Sequence, residues 1–280
     1  MKVKLANNRG FCFGVRRAID LAEKTLRTGG EVYCLGPVIH NPQMVEKLIE
    51  RGFRVVDKPE EVPDGTTVII RSHGVRPEVM SKFEERGIRI VDATCPLVKR
   101  VQDHARMLAR EGYRVVIVGE SHHPEVDAIV GIVGSEAVVV EDAVPSELLS
   151  AGKVGVIAQT TQDGAALREV VHQLVDALPG ELRVFNTICS ATLERQRAAV
   201  ELAGQVDVMF VLGGRNSANT ARLAEICSAT GVPTHHLETA EELKEAMIAG
   251  KSLAGVTAGA STPDWVIDEF VKKLECIPGR

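Results

Sequence analysis

Residues 113–126, YRVVIVGESHHPEV, set an unbroken aliphatic run against a polar turn that leads into Pro124 and Glu125. So short and uniformly apolar a run of beta-branched residues suits a strand covered on both faces. Proline directly after His123 marks a helix start, because its missing N–H costs nothing there. The stretch predicts strand, turn and helix, with two histidines and a glutamate in the turn.

The same order recurs along the chain. EVYCLG (31–36) precedes PQMVEKLIERG (42–52), GTTVIIR (65–71) precedes RPEVMSKFEERG (76–87), VDVMFVLGG (206–214) precedes NTARLAEICSATG (219–231), and SLAGVTAGA (252–260) precedes PDWVIDEFVKKLE (263–275). Buried strands alternating with amphipathic helices predict an α/β protein with mainly parallel sheets. A weak repeat divides them: NNRGFCFGVRRAIDLAE (7–23), VDATCPLVKRVQDHARML (91–108) and NTICSATLERQRAAVELA (186–203) each place a cysteine just before a helix with early basic residues. The cysteines are 95 − 12 = 83 and 189 − 95 = 94 residues apart, each gap about the length of a small α/β unit. Three similar modules, 1–95, 96–189 and 190–280, around a shared centre are the expectation.

Composition narrows the function. With 280 residues, 45% hydrophobic and 25% charged, the chain is ordinary globular material. Its net charge of −5 and scattered Lys and Arg argue against a nucleic-acid partner. No signal-peptide pattern and no run of membrane-spanning length occur, so a soluble, cytoplasmic protein without a membrane partner is expected. The six cysteines are too sparse for a secreted disulfide scaffold.

Cys34, Cys227 and Cys276 read as small buried hydrophobes. Cys12, Cys95 and Cys189 read differently, because thiols at helix N-termini are favoured as thiolates and three of them suit a metal centre. An iron–sulfur cluster with one iron left open fits, and so does zinc, since no CxxC pair decides between them.

Ligands of open α/β sheets gather at the carboxyl ends of the strands. Those ends read GPVIHNP, RSHGVRP, GESHHPEV, AQTTQD, GGRNSANT and AGASTPD, with Asn41-Pro42, His123-Pro124 and Thr262-Pro263 as helix starts. Helix N-termini with His40, His73, His123, Ser217, Asn219 and Ser261 as donors make an anion site for a phosphate-bearing ligand. Individually, the serines, threonines and asparagines are better explained as helix caps. His104 and His172 read as solvated, His235 and His236 as structural, and neither GxGxxG nor a P-loop is present.

GFCFGVRRAI, GPVIHNPQMVEKL, SHGV, DATCPLV, HPEV, AQTT, NTICSATLERQ, GGRNSANT and GVTAGASTP, in order from Phe11 to Pro263, resemble the 4-hydroxy-3-methylbut-2-enyl diphosphate reductases, which end the methylerythritol phosphate route to isoprenoids. The resemblance implies three α/β modules about a pseudo-threefold axis. It implies one [4Fe–4S] cluster per chain on Cys12, Cys95 and Cys189, whose fourth iron takes the substrate hydroxyl. It implies Glu125 as proton source and Thr160 as its hydroxyl relay. His40, His73, His123, Ser217, Asn219 and Ser261 would line the pocket, largely toward the diphosphate. Many relatives read Gly-His where Gly119-Glu120 stands, and Ala218 replaces a second serine, so any contact there comes from its backbone N–H. The electron donor implied is ferredoxin or flavodoxin with its reductase.

Overall fold

A computed structural model describes residues 1–146, 148, 151–177 and 180–277. The expected end of the third module, 278–280, lies outside them. The strands are β1 (Lys2–Leu5), β2 (Val32–Leu35), β3 (Phe53–Val56), β4 (Thr67–Ile70), β5 (Arg89–Asp92), β6 (Arg114–Val118), β7 (Ala137–Val140), β8 (Lys153–Ala158), β9 (Glu181–Val184), β10 (Val208–Leu212), β11 (Thr234–Leu237) and β12 (Leu253–Ala258). The helices are α1 (Phe13–Arg27), α2 (Pro42–Ile49), α3 (Pro77–Glu85), α4 (Pro96–Arg110), α5 (Pro124–Val133), α6 (Gly164–Ala177), α7 (Ser190–Ala203), α8 (Ala218–Ala229), α9 (Glu245–Ile248) and α10 (Asp264–Glu275). Pro263 caps α10 from outside, one position earlier in the helix than the Thr262-Pro263 reading expected.

The strands form three four-stranded sheets, ordered β3-β2-β4-β5, β7-β6-β8-β9 and β11-β10-β12-β1. Every pairing is parallel. One rule generates all three: within each module the spatial order is second, first, third, fourth. For the third module, the fourth strand is β1, which pairs with β12 in the register Lys2↔Leu253 to Leu5↔Val256. The N-terminal strand therefore completes the sheet of the last module instead of starting that of the first.

This order puts a topological switch point between the first and third strands of each sheet, where the chain leaves in opposite directions and loops part to admit a ligand. Alternating side chains feed cores on both faces of the third sheet. Val208, Phe210 and Leu212 pack with Ile267, Phe270 and Leu274 of α10, while Met209 and Val211 pack with Ala199 and Leu202 of α7 and Leu223 of α8. In the second module, Val101, Ala105 and Leu108 of α4 join Val115, Ile117 and Ile157. A Cβ on Gly155 would lie 2.5 Å from Leu108 Cδ2, and one on Gly255 would lie 3.2 Å from Leu202 Cγ. Leu108 and Leu202 each fall 13 residues after a repeat cysteine (108 − 95 and 202 − 189), so a missing side chain on the third strand seats both helices alike.

Contacts divide the chain into two compact units. One, Met1–Val15 with His40–Val45 and Ser190–Arg280, carries the third sheet; the other, Arg16–Ile39 with Glu46–Cys189, carries the first two. No helix among the described residues is long and apolar enough to cross a membrane.

Candidate active site

Glu125 sits at the second position of α5, 1% exposed, at the switch point between β6 and β8. Its Oε1 accepts the Thr160 N–H at 2.7 Å, and its Oε2 accepts the Thr160 hydroxyl at 2.7 Å. Burial penalises the ionised form and outweighs those two bonds, which favour it, so the carboxyl is pushed up from 4.5 to about 7. Glu125 is thus a carboxyl that can hold or release a proton near neutrality.

His123 caps α5, its Nδ1 accepting the Glu125 N–H at 3.2 Å. That bond sets the tautomer of the neutral ring: Nδ1 accepts, so the proton is on Nε2. The His73 ring meets His123 edge-to-face, with centroids 5.4 Å apart.

In the unit with the third sheet, Ser217 caps α8, accepting the Thr220 N–H at 3.3 Å and the Thr220 hydroxyl at 3.0 Å. Ala218 follows as the first helical residue. Asn219 is 7% exposed, and its Nδ2 has no hydrogen-bond partner among the described residues. A buried amide donor left unpaired costs free energy until a ligand satisfies it. Ser261 Oγ donates to the His40 carbonyl at 2.9 Å, bringing the turn after β12 to the start of α2. A Cβ on Gly214 would lie 3.0 Å from that carbonyl, so any side chain there would press the turn after β10 against it.

The three repeat cysteines occupy equivalent local positions. Each backbone N–H donates to a carbonyl two residues beyond a third strand: Cys12 to Ala260 at 3.0 Å, Cys95 to Ser72 at 2.9 Å and Cys189 to Thr160 at 3.0 Å. Cys95 is the N-cap of α4, and the Cys12 sulfur accepts the Val15 N–H at 3.5 Å. All three are half-buried, and α1, α4 and α7 have no acidic residue in their first turns. Their N-terminal dipoles face the cysteine sulfurs with no carboxylate of the same turn to compete. Cys34 and Cys227 are buried, which pushes their thiols up to about 12 and about 11. The trio lies half-buried at helix starts, and Cys34 and Cys227 lie in the core.

The chain matches the family model described as LytB protein over residues 3–275. The chain belongs to the LytB protein family. Relatives in Citrifermentans bemidjiense (49% identical, 99% of this chain and 98% of the relative) and Trichlorobacter lovleyi (49%, 98% of each) are named 4-hydroxy-3-methylbut-2-enyl diphosphate reductase. Among solved structures, it is similar to an (E)-4-hydroxy-3-methyl-but-2-enyl diphosphate reductase described as the terminal enzyme of the non-mevalonate pathway, at 44% identity and TM-score 0.72, over 99% of this chain and all of that one. The E-1-hydroxy-2-methyl-but-2-enyl-4-diphosphate reductase from Plasmodium falciparum is similar at 28% identity and TM-score 0.93, over 99% of this chain and 89% of that one.

In this LytB chain, the expected residues fall into two local groups: His73, His123, Glu125 and Thr160 with Cys95 and Cys189 in one unit, and Cys12, His40, Ser217, Ala218, Asn219 and Ser261 in the other. Two minor expectations fail. Cys276 is exposed, because it lies beyond the last buried turn of α10. His104 is half-buried and stacks on Phe185 with centroids 4.2 Å apart, where it was expected in solvent. His236 is structural, its Nε2 bonding the Gly213 carbonyl at 2.9 Å.

Other residues escaped the sequence reading. Gln159, 1% exposed, accepts the Glu120 N–H at 2.9 Å and donates to Thr161 Oγ1 at 2.7 Å, tying together the turns after β6 and β8. Arg17 donates to the Thr94 and Asp92 carbonyls at 3.2 and 3.3 Å, bracing the turn before Cys95. Arg195 donates to the Gly10 carbonyl at 2.8 Å, bracing the turn before Cys12. The recurrent basic residues after each cysteine were the available signal.

Proposed function

We propose that the chain reduces 4-hydroxy-3-methylbut-2-enyl diphosphate to isopentenyl and dimethylallyl diphosphate, the last step of the methylerythritol phosphate route. The substrate's allylic hydroxyl leaves as water after uptake of two electrons and two protons. The observation that supports this most is the alignment of 99% of the chain with reductases of that name, in a chain whose buried Glu125 titrates near neutrality.

Cys12, Cys95 and Cys189 hold a [4Fe–4S] cluster in this reading. When bound, it supplies the electrons and a Lewis-acidic iron that weakens the carbon–oxygen bond. The remaining chemistry belongs to the chain. Glu125 delivers a proton to the departing hydroxyl, without which hydroxide is a poor leaving group. The Thr160 hydroxyl can accept from the protonated carboxyl and donate onward, so it carries the proton without itself ionising. Ser217, the Ala218 N–H, Asn219, Ser261, His40, His73 and His123 anchor the diphosphate, which fixes the hydroxyl arm. Electrons come from ferredoxin or flavodoxin and its reductase, in the cytoplasm.

Iron and acid-labile sulfide in anaerobically purified protein test the cluster. About four of each per chain are expected. A colourless protein carrying zinc would overturn the reading.

A further inference from the structure

Two carboxylates hold the turns that carry these residues, and neither would touch the substrate. In the second module, the turn after β6 begins at Gly119, whose N–H donates to the Val140 carbonyl at 3.1 Å. Two residues on, the Ser121 N–H donates to Glu141 Oε1 at 2.8 Å, and Glu141 is the first residue after β7. In the third module, the turn after β10 begins at Gly213, whose N–H donates to the Leu237 carbonyl at 3.0 Å. Two residues on, the Arg215 N–H donates to Glu238 Oε1 at 2.7 Å, and Glu238 is the first residue after β11. The two arrangements repeat bond for bond, although the turns share little sequence beyond the leading glycine.

Each turn leads directly into chemistry. Gly119–Ser121 continues to His123, the N-cap, and Glu125; Gly213–Arg215 continues to Ser217, the N-cap, and Asn219. The second clamp has further parts. Gly213 has φ +142, with Thr262 Oγ1 2.5 Å from where a Cβ would stand. His236 takes the Gly213 carbonyl at 2.9 Å. The Arg215 guanidinium, the one cation in this turn, pairs with Glu242, whose Oε1 also accepts the Glu238 N–H at 2.8 Å. The glycine of the first module bonds in the same way, its Gly36 N–H meeting the Val56 carbonyl at 2.8 Å. There the residue after β3 is Asp57, whose own N–H donates to Glu61 Oε2 at 3.1 Å. The first clamp lowers the Glu141 carboxyl, chiefly through the Ser121 N–H bond and then through the Ser121 hydroxyl, with His122 adding a smaller favourable charge.

We propose that Glu141 and Glu238 are equivalent positioning residues for the reaction, each fixing one ligand-bearing turn through the backbone N–H two residues into it: Glu141 the turn that orients the proton donor, Glu238 the turn that grips the diphosphate. The assignment rests on the proposed reductase activity. It predicts opposite kinetic signatures from two equivalent substitutions. Losing a hydrogen bond to a charged acceptor corresponds to about tenfold in an equilibrium or rate.

The test uses cluster-loaded protein with reductively driven substrate turnover, and binding of inorganic pyrophosphate by calorimetry. Glu238→Ala should raise KM and weaken pyrophosphate binding about tenfold, with kcat within about threefold of the parent. Glu141→Ala should lower kcat about tenfold and leave pyrophosphate binding within about twofold. Glu238→Gln and Glu141→Gln keep an acceptor oxygen and should restore most of each loss. Wild-type behaviour of both alanine variants, or glutamine variants as impaired as the alanine ones, overturns the proposal. So does the same mixed loss of kcat and KM in both alanine variants, which general loosening would give. Should Glu238→Ala fail to fold, Glu238→Asp, whose carboxylate is one methylene too short for the Arg215 N–H, probes the same bond; normal pyrophosphate affinity in that variant refutes the clamp. Absence of turnover in wild-type protein would instead refute the reductase reading, while pyrophosphate affinity still reports on Glu238.

Discussion

Replacing Glu125 with glutamine should inactivate the protein and, above neutrality, stabilise it. The carboxyl is 1% exposed and its pKa rises from 4.5 to about 7 because burial penalises the charge. A raised acid pKa means that the folded chain holds a proton that the unfolded chain has released between those two values. Stability therefore falls as pH climbs through that window, and the penalty is complete above the folded pKa. At about 1.36 kcal/mol per unit, the full penalty is about 3 kcal/mol, and about 2.5 kcal/mol of it accrues between about pH 5 and about pH 8. Glutamine avoids it and fits the site: its oxygen accepts the Thr160 N–H, and its amide donates to the Thr160 hydroxyl, which turns to accept. Urea denaturation of parent and Glu125→Gln at both pH values reads the difference. The variant's advantage should grow by about 2.5 kcal/mol toward high pH, while turnover falls at least about a hundredfold. A stability difference that does not change with pH would refute the claim that this carboxyl is buried in its protonated form.

Thr160→Val removes one of two bonds that hold the Glu125 pKa down, so the alkaline limb of the kcat profile should move up by about one unit; an unmoved limb would detach Thr160 from the acid. Cys95→Ser should lose most iron and sulfide when purified without oxygen, and full metal content would remove Cys95 from the ligand set. Asn219→Ala should weaken inorganic pyrophosphate binding about tenfold by calorimetry if its unpaired amide serves an anion; unaltered affinity would assign that amide elsewhere.

Strand and helix alternation showed the fold class because central strands such as Val208–Leu212 are apolar on both faces. The edge strands were harder to see: Lys2–Leu5, Arg89–Asp92 and Glu181–Val184 are four residues long and half in solvent, so they lack a continuous apolar run. That β1 pairs with β12 could not be read from local pattern, since register across most of the chain leaves no local signal. The equivalent positions of the three cysteines and the helix-start position of Glu125 were legible because the cysteines repeat and Glu125 follows a proline at a strand end. Glu141 and Glu238 were not, because a carboxylate that binds a backbone N–H leaves no motif. The only available cue was their common place, first after the second strand of a module. Arg195, 4% exposed, looked like any basic residue on an amphipathic helix until the Gly10 carbonyl opposite it was known.

The central claim is reductive removal of an allylic hydroxyl. It is tested most directly by mixing anaerobically purified, iron-loaded protein with 4-hydroxy-3-methylbut-2-enyl diphosphate and a dithionite-reduced viologen dye. Isopentenyl and dimethylallyl diphosphate should form, with two one-electron dye equivalents consumed per substrate. Iron-loaded protein that binds the substrate yet neither oxidises the dye nor forms either product would contradict it.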